Sequence, residues 1–98
     1  MNIPFPNDKI NPHIFFTKAG YHAQRNGSYA MRLGSNEFPR FHAYLQENKN
    51  GGMSLSLHLD QSPAVYLGHK AHHGESKSDV VLEEAERLKR WINYFSHS

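Results

Sequence analysis

The chain has no cysteine. That excludes a disulfide framework, thiolate-ligated zinc and a thiol nucleophile. No apolar run approaches the roughly 18 residues that a membrane span needs. The opening Met1-Asn2-Ile3-Pro4-Phe5-Pro6 lacks the basic start and apolar stretch of a secretory leader. The expected setting is therefore cytoplasmic, without a membrane partner. Charge of one sign is scarce as well. Eleven Lys and Arg against 9 Asp and Glu leave a net +2 with histidines neutral, short of the basic footprint of a dedicated DNA binder. Two catalytic or cofactor signatures are missing. Gly51-Gly52 sits between two strand-like segments rather than ahead of a helix, so no phosphate-cradling loop is present. No Gly-x-Ser-x-Gly elbow anchors serine hydrolase chemistry.

What the chain does have is material for a small core and an excess of imidazole. A protein of 98 residues buries only about 60–68% of the surface its unfolded form exposes. A surface groove or open sheet face is thus favoured over a deep enclosed site. Six Phe, 5 Tyr and 1 Trp are too many for a disordered chain. The 8 histidines make the net charge sensitive to mild acidification.

The patterning predicts an α+β fold: an antiparallel sheet of about four strands, built as two hairpins, with one C-terminal amphipathic helix on one face. Pro4, Pro6 and Pro12 make residues 1–12 an extended arm, packed along the edge of a domain spanning 13–98 through Ile3, Phe5 and Ile10. His13–Thr17, Tyr21–Gln24 and Ser28–Leu33 suit strands, with Gly20 as a bulge and Asn26-Gly27 as a tight hairpin turn. In the second hairpin Phe41, Ala43 and Leu45 alternate with polar neighbours, as do Leu55, Leu57 and Leu59. A two-residue Asn50-Gly51 turn would mix oily and polar faces. A three-residue loop, Lys49-Asn50-Gly51 with Gly51 left-handed, keeps the leucines together and sets Arg40 opposite Asp60, His42 opposite His58 and Tyr44 opposite Ser56. Residues 61–77 read as a long connection with a short extended piece over Ala64–Leu67. The helix is expected over Ser78–Phe95, capped by Ser76 or Ser78, with Asp79 in its first turn. Its stripe is Val81, Ala85, Leu88, Ile92 and Phe95, with Trp91 on the flank and Glu83–Arg87 and Glu86–Arg90 as i,i+4 pairs. It should lie across the Phe41/Leu57 face.

That register turns histidine richness into a located pair. His42 and His58 become cross-strand neighbours, their Cβ atoms about 4.5–5.5 Å apart. Soon after comes His69-Lys70-Ala71-His72-His73-Gly74-Glu75. Imidazole and carboxylate are the usual ligands of zinc and other first-row divalent metals. His42 and His58 with a third ligand from His69, His72 or His73 would make an open metal site for hydrolysis of a phosphate ester or nucleic acid. Asp60 or Glu75 would act as fourth ligand or general base. The spacing is not diagnostic, and no His-Glu-x-x-His is present. Without metal, His42 and His58 could form an acid–base pair with Arg40 or Lys70 on a phosphate. The alternative class is a non-enzymatic nucleic-acid or protein interaction module, with Arg40, His42 and Tyr44 supplying phosphate and stacking contacts. Trp91 is a candidate homodimer contact. The plainest alternative to all of these is a solvated polar surface.

Overall fold

The computed structural model describes residues 1–61 and 74–97, with the backbone alone for 74–78. Its elements in chain order are β1 (Asn2–Phe5), α1 (Pro12–Ala19), β2 (His22–Ala23), β3 (Tyr29–Arg32), β4 (Arg40–Glu47), β5 (Met53–Asp60) and α2 (Gly74–Ser96). The expected antiparallel sheet with a C-terminal helix packed on it is present. It has five strands rather than about four, in the order β1-β5-β4-β3-β2. The extra strand comes from the predicted arm: β1 pairs antiparallel with β5, setting Ile3 opposite Leu55 and Phe5 opposite Met53. Ile3, Phe5 and Ile10 are all buried.

The first predicted strand is a helix. Asn11 caps α1 by accepting from the Ile14 amide, Pro12 follows at the first helical position, and Gly20 closes it at φ 98°. An asparagine cap, a proline just inside and a left-handed glycine just beyond are the start and stop signals of a helix. They outweigh the β-prone run Ile14-Phe15-Phe16. Gly20 is thus a helix cap, not a bulge. Helical spacing puts Phe15, Phe16 and Ala19 on one buried face, where alternation would have split the two rings between opposite faces.

Both hairpins turn the same way. In the second, the Asn48 amide donates to Gly52 O (2.7 Å), the Gly51 amide donates to Asn48 O (3.1 Å) and Gly51 has φ 92°. This is the expected three-residue loop, and it gives the expected pairs Arg40–Asp60, His42–His58, Ala43–Leu57 and Tyr44–Ser56. In the first, Gln24 and Ser28 close a loop of Arg25-Asn26-Gly27, with Gly27 at φ 90°. No non-glycine residue among those described has positive φ, so the expected two-residue Asn-Gly turn is not formed. Each loop is a basic residue, Asn and Gly, and each Asn Oδ1 accepts the backbone amide two residues on, Ser28 or Gly52.

Side chains from the two helices and one side of the sheet form a common core of Ile3, Phe5, Phe15, Phe16, Tyr21, Phe41, Ala43, Leu55, Leu57, Ala85 and Leu88. The predicted stripe of α2 faces it, Ala85 and Leu88 fully and Val81, Ile92, Phe95 and Trp91 partly. The helix begins at Gly74, four residues ahead of the expected start at 78. Its ion pairs also differ from expectation: Arg87 engages Glu84 and Glu86 engages Lys89, both at i,i+3. Among the described residues no helix is long and apolar enough to cross a membrane.

Candidate functional site

The core residues of β3, β4 and β5 occupy every second position, so the intervening residues share the opposite face of the sheet. The register sets them in rows across the strands. One row runs Asp60, Arg40, Arg32; the next runs His58, His42, Ala30, His22; beyond it Ser56 lies opposite Tyr44. Three imidazoles therefore lie at one level. His22 was not anticipated, because its placement depends on the first hairpin's register.

The rings around Tyr44 form a local array. Tyr44 lies 5.7 Å from His58, nearly parallel at 21°, and 5.9 Å from His42, tilted at 47°. Tyr44 and His42 are half-buried and His58 is exposed. The His42 Nε2 lies 2.8 Å from Ser28 Oγ, while Ser28 Oγ and the Ser28 amide both approach Asn26 Oδ1, at 2.6 and 3.0 Å. The amide can only donate, so the Asn26 atom is the carbonyl oxygen. The single Ser28 hydroxyl proton then goes to Asn26, and Ser28 Oγ accepts from His42 Nε2–H. The loop thus selects the His42 tautomer and leaves Nδ1 as its lone-pair nitrogen. His58 Nε2 lies 3.1 Å from Ser56 Oγ on its own strand. Ser28 and Ser56 are both buried, at 5% and 4% exposure.

Arg40 is more constrained than the sequence suggested. Its Nε lies 3.5 Å from Asp60 Oδ2 and its Nη1 3.8 Å from Glu37, while the guanidinium sits 4.6 Å from the Phe38 ring centroid. The Nε makes no hydrogen bond, and is the one buried side-chain polar atom without a partner among the described residues. Asp60 is thereby occupied as a counter-ion. Of the remaining predicted site residues, His69, Lys70, His72 and His73 lie outside the described residues, and Glu75 contributes only its backbone, in the first turn of α2. Among the described residues there is no group of three or more His, Asp or Glu placed to hold a metal ion.

A second polar cluster escaped the sequence reading. Glu84, 6% exposed, accepts the Tyr21 hydroxyl at 2.6 Å and the Arg87 Nε and Nη2 at 2.8 Å each; Nη2 also donates to the Ala19 carbonyl at 2.8 Å. Burial, then the hydrogen bond to Glu84, pushes the Tyr21 hydroxyl pKa well above the usual tyrosine value. The hydrogen bond to Glu84 is the main cause raising that of Arg87. The cluster ties α2 to the end of α1 and the start of β2. Its sequence signal is faint: Glu84 precedes stripe residue Ala85, and the neighbouring Glu83 and Glu86 offer equal candidates. No protein-family model, curated protein or solved structure matches the chain.

Proposed function

We propose that the sheet face bearing His42, Tyr44 and His58 binds single-stranded nucleic acid by stacking, without catalysis. The observation that carries this reading is the Tyr44 ring set next to the opposed His42–His58 pair, its centroid 5.9 Å from the His42 imidazole and 5.7 Å from that of His58. Aromatic rings standing on a β-sheet give unpaired bases a sequence-tolerant platform. Arg32, His22 and His58 supply donors for backbone phosphates, while the His42 Nε2–H is engaged by Ser28 and Arg40 is largely offset by Asp60 and Glu37. The modest charge of the chain fits weak, salt-sensitive binding.

The test is fluorescence anisotropy with short labelled single strands of DNA and RNA and with duplex, at low and moderate salt. Single strands should bind in preference to duplex. Tyr44→Leu, which keeps bulk and removes the π face, should weaken binding by about 1–3 kcal/mol if one base stacks there. Absence of binding at low salt, or an unaltered Tyr44→Leu variant, defeats the reading and leaves a protein partner for this face.

The directly opposed His42–His58 pair supports a second reading, a divalent-metal site such as zinc serving hydrolysis. His42 would have to ligate through Nδ1, since Nε2 is engaged by Ser28. Zinc titration of untagged protein, followed by the imidazole NMR signals, decides it: no response of His42 or His58 to stoichiometric metal ends that reading.

A further inference from the structure

On the other side of the sheet, α1 and α2 enclose an open cleft of about 560 Å³ lined by Lys18, Arg87, Arg90, Trp91, Tyr94 and Phe95. We infer that this cleft is a binding site for a small aromatic anion of the mononucleotide class, separate from the sheet face. Among the described residues the lining holds three cations and three aromatic rings and no carboxylate. Arg87 is already matched by Glu84. Lys18 and Arg90 have no ion-pair partner among the described residues, because Glu86, the expected partner of Arg90, engages Lys89 instead. Two unmatched positive charges thus face one concavity, and a phosphate monoester brings about −1.5 to −2 at neutral pH.

The rings define the rest of the ligand. Trp91 and Tyr94 stand at 87° with centroids 5.8 Å apart, an L-shaped notch. A planar base set into it lies face-on to one ring and edge-on to the other, the two arrangements aromatic quadrupoles favour. Trp91 is backed by Phe95 at 5.7 Å, and Phe95 is anchored on Phe15 at 6.0 Å, so the notch rests on the core. Tyr94 is 61% exposed, an unusual position for a large ring that only packs. The volume lies within the roughly 300–1,000 Å³ typical of small-ligand sites.

The chain contains a single tryptophan, so indole emission reads this cleft alone. The protein is titrated with adenosine 5′-monophosphate, adenosine and inorganic phosphate, each with selective tryptophan excitation. The monophosphate should change Trp91 emission saturably and bind about tenfold or more tightly than either fragment. Lys18→Ala/Arg90→Ala should weaken the monophosphate by about tenfold while leaving adenosine unchanged, the loss expected for two charge-assisted contacts. Both side chains are exposed, and circular dichroism verifies that the variant is folded. Four results would overturn the inference: no saturable change, phosphate alone binding as tightly, a double variant that binds like the parent, or emission that shifts with protein concentration without ligand. The last would mean that a second copy of the chain fills the cleft.

Discussion

Replacing one partner of the Glu84–Arg87 pair should cost very different amounts depending on which is taken. Glu84 is 6% exposed and Arg87 is about one-third exposed at its side chain. Arg87→Met leaves a buried carboxylate with the Tyr21 hydroxyl as its remaining side-chain donor. Breaking a buried pair costs about 3–5 kcal/mol, and about 3 kcal/mol suits a site one side chain away from solvent. Glu84→Gln is milder. The amide oxygen still accepts from Tyr21, and Arg87 can turn partly to water while keeping its bond to the Ala19 carbonyl. The loss of charge assistance is then about 1–1.5 kcal/mol. Converting both to Met removes the stranded charge and should cost less than Arg87→Met alone. In thermal and urea denaturation a domain of this size loses about 4–8 °C per kcal/mol, so Arg87→Met should fall by about 12 °C or more. A Glu84→Gln variant as damaged as Arg87→Met, or both within about 0.5 kcal/mol of the parent, would refute the asymmetry of burial on which the ranking rests.

Tyr21 gives an alkaline signature. In the unfolded chain its hydroxyl ionises near pH ~10, whereas in the fold burial and Glu84 hold the proton to higher pH. The unfolded state therefore loses the proton first. This contribution is fully present below pH ~10 and falls above it by about 1.4 kcal/mol per pH unit. Denaturation of Tyr21→Phe above pH ~10 should show a correspondingly shallower loss, and an equal slope would assign the proton elsewhere. Leu57→Ala, at a side chain 1% exposed within the common core, should cost about 2–5 kcal/mol; a change below about 1 kcal/mol would mean that the site collapses freely. Gly20→Ala forces φ 98° on an L-residue and sets its Cβ 3.2 Å from Met31 Sδ, for about 1–2 kcal/mol. Asn11→Ala removes the α1 cap for about 1 kcal/mol. Urea titration reads both, and unchanged midpoints would remove these two residues as the determinants of α1.

The second hairpin and the stripe of α2 were legible because burial specifies them: only one register keeps Phe41, Ala43, Leu55 and Leu57 on one side. The same register sets His42 beside His58. Elsewhere the same logic had less purchase. Ile14-Phe15-Phe16 suits strand or helix, and only Asn11, Pro12 and Gly20, read together, decide between them. The Asn26-Gly27 pair reads as a two-residue turn, one residue shorter than the loop that forms. Its actual length matches that of Lys49-Asn50-Gly51, and that length brings Ser28 to His42. The Tyr21–Glu84–Arg87 cluster joins residues 63 positions apart in the chain, so no local pattern announces it. The histidines of residues 69–73 fall outside the described part of the chain.

The strand order also bears on how the fold is reached. From β2 to β5 each strand follows its neighbour through a hairpin or a short connection, so those pairings close small loops at low entropic cost. β1 instead joins the far edge beside β5, so that pairing Ile3 with Leu55 closes a loop reaching across the whole meander in sequence. Its loop is the longest in the sheet, and its reward arrives last. The expected nucleus is the β4–β5 hairpin, with β1 joining after the rate-limiting barrier; stopped-flow kinetics of β1 variants should then show faster unfolding and a nearly unchanged folding rate.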